Sequence, residues 1–192
     1  MTIKCSVFIA TSLDGFIARS DGSIDWLSAA NAVVPPGEDC GYKAFMSTVD
    51  TLVMGWNTFE QVLTFGEWPY GDTPVVVMSH RASPLPPNSP HTVTFSQEAP
   101  TDLVAKLRAQ GKRHLYIDGG ITVQSFLSEC LINELTITVI PILLGTGKPL
   151  FGPMRSDIHL LHVATRVYEF GFVQHKYRVQ GVECSRPFIA PG

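Results

Sequence analysis

Between residues 51 and 129 the sequence alternates short apolar runs with helix-forming segments, and a turn residue marks each change of period. Residues 51–54 read as a buried strand ending at Gly55, and a short helix follows over 57–63, started by Asn57 or Thr58. Residues 74–78 repeat the pattern as a strand that ends at Ser79, His80 and Arg81, and 91–95 alternate as another strand. Thr101 or Asp102 caps a helix that runs through Leu103, Leu107 and Ala109 and stops at Gly111. Residues 114–117 form a further strand, closed by Asp118-Gly119-Gly120, with a helix from about 122 to 129. Strand and helix in this alternation imply parallel pairing through right-handed crossovers, which sets the fold class as α/β.

The flanks complete the sheet. Residues 3–10 are a buried first strand, and two Asp-Gly turns, Asp14-Gly15 and Asp21-Gly22, bracket Phe16-Ile17-Ala18 in what reads as a mobile, hairpin-like loop leading to Trp26. Pro35-Pro36-Gly37 breaks the chain before 42–49, where Tyr42, Phe45, Met46 and Val49 lie at i, i+3, i+4 and i+7, the spacing of one amphipathic helix. Four prolines within 83–90 make an extended surface loop. After Asn133 the helical pattern stops. Residues 135–143, about 159–168 and about 172–179 are strand-like, and the tight Glu169-Phe170-Gly171 connection makes the last two a hairpin. The expected sheet is mixed: mostly parallel, with an antiparallel C-terminal hairpin.

Length and charge narrow the function. A chain of 192 residues with 45% hydrophobic residues suits a single domain over 1–192. A net charge of -3 with no basic run argues against nucleic acid or an anionic membrane as the partner, and favours a small molecule. Cys5, Cys40, Cys130 and Cys184 show no CxxC spacing, so reduced thiols in a cytoplasmic protein are expected. His159 and His162 point to opposite faces of a strand, so no metal site is expected. No apolar run approaches the roughly 20 residues that span a bilayer.

Three strand ends, at Gly55, Met78 and Asp118, open into a helix or a polar turn. In an open α/β sheet such ends share one edge, where helix N-termini favour phosphate. Neither a GxGxxG nor a Walker motif is present.

The segments 10–18 (Ala-Thr-Ser-Leu-Asp-Gly-Phe-Ile-Ala), 53–60 (Val-Met-Gly-Trp-Asn-Thr-Phe-Glu), 116–120 (Tyr-Ile-Asp-Gly-Gly) and 141–151, with its Gly-Thr-Gly-Lys-Pro-Leu-Phe, resemble the dihydrofolate reductase superfamily. Within it the chain looks like the reductase domain of riboflavin biosynthesis and its stand-alone relatives. The resemblance implies a dihydrofolate-reductase-like three-layer fold and a reductase that takes hydride from NADPH. It implies that Ala10 and Ile17 frame the nicotinamide, that the loop from Asp14 to Asp25 closes over it, and that Gly55, Asn57, Thr58, Gly119, Gly120, Thr122 and Val123 hold the phosphates. It also implies a cis Gly119-Gly120 peptide.

One position departs from the family. Trp56 stands where the family carries an arginine for the 2'-phosphate; its indole can stack on adenine, while Arg81, next to Ser79, could supply the charge, and NADH becomes an alternative cofactor. For the substrate, the resemblance places Asp39 as the carboxylate that meets a nitrogen heterocycle, with Glu38 as its neighbour, Thr138 beside it and Trp26 under the loop. The expected activity is that of a 5-amino-6-(5-phosphoribosylamino)uracil reductase. The alternatives are a dihydrofolate reductase, or a catalytically silent nucleotide-binding or dimerising module. The apolar run 139–144 is read either as a homodimer interface or as an interior strand.

Overall fold

The computed structural model of the chain describes residues 2–80 and 89–180. Strands β1 (Lys4–Ser12) and β2 (Phe16–Ala18) precede two short helices, α1 (Asp25–Asn31) and α2 (Tyr42–Met46). Then come β3 (Thr51–Gly55), α3 (Trp56–Leu63), β4 (Val75–Met78), β5 (Val93–Ser96), α4 (Pro100–Ala109), β6 (His114–Asp118) and α5 (Gly120–Ser128). The chain continues with β7 (Glu134–Ile140), β8 (Lys148–Pro149), β9 (Leu160–Val167) and β10 (Val173–Val179).

Eight strands form one sheet in the order β5-β4-β3-β6-β1-β7-β10-β9, and β2 and β8 pair separately. Every pairing from β5 across to β7 is parallel, whereas β10 runs antiparallel to both β7 and β9. The mixed sheet and its C-terminal hairpin are therefore as the sequence implies.

Helices on both sides make the three layers. On one side Val7, Val53, Leu115 and Ile117 pack against Leu103 and Leu107 of α4 and Val123, Phe126 and Leu127 of α5. On the other, Leu52, Met54, Val75, Val77 and Tyr116 pack against Phe59 of α3 and Tyr42, Phe45 and Met46 of α2. Alternate residues of β3 serve opposite cores, which is why its run of apolar residues is continuous rather than alternating. A third cluster, Trp26, Ile140, Tyr168 and Phe172, anchors α1 to the end of the hairpin.

Several boundaries differ from the sequence expectation, each for a local reason. α1 has one buried residue, Trp26, so its apolar period is too weak to read. α2 stops at Met46, short of the expected Val49, and Ser47 and Thr48 hydroxyls donate to the carbonyls of Ala44 and Phe45 as the turn unwinds. α4 begins at Pro100, not under a Thr101 or Asp102 cap, because proline presets the first helical φ. β7 ends at Ile140, before Pro141, which has no N–H for the ladder. Cys5 and Cys40 are free thiols as expected, but Cys130 is disulfide-bonded. Among the described residues no helix is long and apolar enough to cross a membrane.

Candidate functional site

The parallel strands end together. Gly55 lies in register with Met78 and Met54 with Asp118, so β3, β4 and β6 deliver their last residues to one edge, beside the ends of β1 and β7. Ligands of open α/β sheets bind in the crevice outside such ends.

Two helices start there, α3 after Gly55 and α5 after Gly119, and neither has a side-chain N-cap. Their first turns nearly touch. A Cβ at Gly55 would stand 2.9 Å from Thr122 Oγ1, and one at Gly119 would collide with Thr58 Oγ1. Gly119 also holds φ +87, a conformation that costs glycine little and other residues more. A Cβ on Gly120 would lie 2.9 Å from the Pro149 carbonyl oxygen and 3.1 Å from Ile17 Cδ1. Residues far apart in sequence, Ile17, Gly55, Thr58, Gly119, Gly120 and Thr122, thus meet in one close-packed cradle, in which glycine backbone lies against threonine hydroxyls. Such a cradle fits the pyrophosphate of a dinucleotide, which needs backbone amides at close range and two helix N-termini.

The Gly119-Gly120 peptide is trans, since the described residues contain no cis bond. This corrects the cis expectation: Gly119 makes the turn by its positive φ instead.

The remaining expected cofactor residues have separate settings, and the Val123 side chain, fully buried, is core rather than a phosphate contact. Asn57 is exposed on the first turn of α3, while Val123 is fully buried in the core beneath α5. Trp56 is part-buried, with ring centroids 5.3 Å from Phe95 and 6.0 Å from Phe59, so it belongs to an aromatic cluster. The Ser79 amide donates to the Ser96 carbonyl, and Arg81 lies outside the described residues.

The loop after β1, expected to be mobile, is tied down. Asp14 accepts the amides of Leu144 and Gly145, the latter at 2.7 Å, and the Ser12 hydroxyl at 2.6 Å. These bonds hold its carboxyl below the ordinary value, the Ser12 bond most. The Leu150 amide donates to the Gly15 carbonyl, and β2 pairs with β8, so the 144–150 segment and the loop form one wall of the edge.

On the α2 side, Ala10 is in register with Thr138, and Thr138 with Gln174. The Gln174 amide donates to Thr138 Oγ1 at 2.9 Å and to the Cys40 carbonyl at 3.0 Å. Asp39 accepts the amides of Lys43 and Gly41, which lower its pKa, the Lys43 bond most. Glu38 accepts the Asp39 and Cys40 amides and pairs with Arg166 at 3.1 Å. Trp26 is buried, and its indole N–H finds no acceptor among the described residues.

Asp118 is the carboxylate that sequence reasoning left without a role. It ends β6, is part-buried, accepts the Gly119 amide at 2.9 Å and has Tyr42, Tyr70 and Tyr116 around it. Burial pushes its pKa up to about 6, against the opposing pull of the Gly119 amide and the Tyr116 hydroxyl. The same surroundings raise the three phenols; burial takes Tyr42 up to about 12. Asp118 therefore holds its proton to a higher pH than an ordinary aspartate, at the edge where the cradle lies. Its signal in the sequence was a lone acid directly before Gly119-Gly120 at a strand end.

Comparison with known proteins identifies the family and the fold. The sequence model of the RibD C-terminal domain matches residues 4–173. The uncharacterized protein YwjB of Bacillus subtilis (strain 168) is 38% identical over 171 residues, covering 88% of this chain and 94% of its own. A crystal structure from Shewanella sp. PV-4, provisionally named a riboflavin biosynthesis protein, superposes with a TM-score of 0.87 at 42% identity, over 93% of this chain and all of that one. Dihydrofolate reductase from Enterococcus faecalis, solved with NADP(H), shares the fold at a TM-score of 0.60 and 17% identity, over 93% and 97% of the two chains.

Proposed function

The chain belongs to the RibD C-terminal domain family, and on that premise we propose that it is an NADPH-dependent reductase of a nitrogen heterocycle, of the 5-amino-6-(5-phosphoribosylamino)uracil reductase type. The observation that carries this reading is the glycine cradle where the N-termini of α3 and α5 meet, adjoining a carboxyl whose pKa is raised. Bound there, NADPH would supply hydride. Gly55, Asn57, Thr58, Gly119, Gly120 and Thr122 would hold its phosphates, and Ala10 and Ile17 would flank the nicotinamide.

Reduction of a carbon-nitrogen double bond also consumes a proton. Asp118, with a pKa near 6, is suited to hold one at its carboxyl and pass it to the substrate, whereas the Asp39 carboxylate, held low by its own helix, is suited to accept hydrogen bonds from a heterocycle. Thr138 and Gln174 would orient the substrate from β7 and β10. Trp56 offers no charge to a 2'-phosphate, so Arg81 is the proposed source of NADPH preference.

The test is a thermal shift with NADPH and NADH, followed by assay of NADPH oxidation with 5-amino-6-(5-phosphoribosylamino)uracil and with dihydrofolate. Cofactor at 100 times its Kd should stabilise the fold by about 2.7 kcal/mol. Binding with turnover of the pyrimidine supports the reading, and turnover of dihydrofolate alone moves the protein to the alternative reductase. No shift with either dinucleotide would leave a silent module of the same fold. In Arg81→Ala the ratio of NADPH to NADH affinity should fall about tenfold or more.

A further inference from the structure

No lysine or arginine stands between Lys43 and Arg81, a stretch that supplies the end of α2 and all of β3, α3 and β4. Its acids include Glu60 on α3 and Glu67 and Asp72 in the 64–74 loop, all three exposed. What borders the site on this side is rings. Tyr42 packs edge-on to Phe8 with centroids 5.8 Å apart, Tyr116 to Phe45 at 5.1 Å, and Tyr70 of the 64–74 loop to Trp68 at 5.1 Å. All six belong to the cluster between the sheet and α2 and α3, and the three phenols surround Asp118. A substrate that takes a proton from Asp118 therefore enters between α2 and the 64–74 loop, past aromatic faces. The Trp68 indole N–H is buried in this wall with no acceptor among the described residues.

Resting on the reductase reading above, we propose that the heterocycle this protein reduces carries no phosphate, and that the part of it lying between α2 and the 64–74 loop is flat and uncharged.

The electrostatics of the site select that class. A phosphate brought into the aromatic wall would lose water without gaining a counter-charge, and a buried charge without a partner is among the costliest groups to place. The cations of neighbouring elements are engaged elsewhere. Arg166 of β9 pairs with Glu38 at 3.1 Å and Arg19 with Asp25 at 2.6 Å. Lys43 attracts the Asp39 carboxylate on its own helix, and Lys148 of β8 lies against the Gly22 turn. Arg81 is assigned above to the phosphate of the cofactor. Asp39, with Glu67 and Asp72 outside it, adds like charge, so a dianion is opposed during approach as well as when bound. A flat neutral ring meets the reverse conditions. Aromatic side chains hold it through their faces and edges, phenol hydroxyls and the Trp68 N–H serve its carbonyl oxygens, and Asp39 accepts its N–H groups.

The test uses a matched pair: 5-amino-6-(5-phosphoribosylamino)uracil, and the same compound after a phosphatase has removed its phosphate. Each is titrated calorimetrically into protein loaded with oxidised cofactor, which binds without turnover, and then assayed with NADPH for kcat/KM. The phosphate-free compound should bind about tenfold more tightly or better, with a matching gain in kcat/KM. Raising the ionic strength from about 0.02 M to about 0.3 M should improve the phosphorylated compound several-fold and leave the other unchanged, because screening acts only where a charge is opposed. The double variant Glu67→Lys, Asp72→Lys, checked for folding by circular dichroism, should narrow the gap about threefold at low salt. If that variant does not fold, the salt series decides. Equal or tighter binding of the phosphorylated compound overturns the proposal and leaves the reductase reading intact, as does a preference that answers to neither salt nor charge reversal. Binding of neither pyrimidine to the loaded protein also overturns it. Failure of the dinucleotide itself to bind, read by thermal shift before either pyrimidine is added, is instead the failure of the reductase reading.

Discussion

β3 and β9 belong to the same sheet and are both rich in aliphatic residues, yet four of the five residues of β3 are buried and all eight of β9 are exposed. The difference lies in what surrounds them. β3 is entered after α2 and left through α3, which cover one side, and the crossovers before and after β6 lay α4 and α5 on the other, whereas the β9–β10 hairpin closes through a tight turn and brings no helix with it. Burial in this sheet is a property of the connections. The candidate site sits where the two regimes meet: the cradle is built from crossover turns, and Thr138 and Gln174 come from the first antiparallel pair.

The contrast can be broken or sharpened by experiment. Phe126→Ala, at a fully buried position under β1 and β6, should cost about 3–5 kcal/mol in a denaturant titration. A loss below about 1 kcal/mol would mean that the covered half is no better packed than the hairpin. Asp118→Asn should slow turnover about 100-fold or more, with dinucleotide affinity nearly unchanged. The same change should stabilise the protein. A carboxyl whose folded pKa is raised contributes stability below its unfolded value, near 3.9, and loses it as pH rises through about 6. At pH 8 the variant should therefore melt higher, by an amount on the order of 1–3 kcal/mol, and at pH 4 the gain should vanish. An Asp118→Asn enzyme as fast as the parent removes the residue from the chemistry.

Gly120→Ala should press on the Pro149 carbonyl and Ile17, weakening dinucleotide binding at least tenfold in a fluorescence titration while the protein stays folded. Unaltered affinity would detach the cradle from the cofactor. At the far end of β6, His114 is bonded to Ser6 and Thr48, and burial holds its pKa below the ordinary value. Its neutral form is the folded one, so the stability it contributes is present above about pH 6.5 and is lost as pH falls below it. His114→Gln should flatten the acid side of a stability-against-pH curve, and an unchanged slope would assign the acid loss to other groups. The smallest effect belongs to the hairpin: Val167→Ala, at an exposed position, should change the stability of the isolated chain by no more than about 0.5 kcal/mol.

Most of the parallel half was legible because buried strands and amphipathic helices carry their own period. What escaped notice depended on partners distant in sequence. β2 is three residues long and has meaning only against β8, and α1 is fixed by Trp26 docking on Ile140, Tyr168 and Phe172. The resemblance assigned Asp39 to a heterocycle, and the fold bonds its two oxygens to the amides of Gly41 and Lys43. Asp118 read as turn chemistry, and the fold gives it a buried, phenol-lined setting that raises its pKa to about 6.

By itself the sequence determined the order and type of the main elements, the parallel and antiparallel division of the sheet and the glycines at its strand ends, because each of these rests on neighbours a few residues apart. Only the tertiary structure decided that Gly55, Thr58, Gly119, Gly120, Thr122 and Ile17 come together, that the Asp14 loop is pinned to Leu144 and Gly145, and which carboxyl has its pKa raised. Those outcomes depend on desolvation and on contacts across tens to more than a hundred residues, and no local pattern of side chains encodes either.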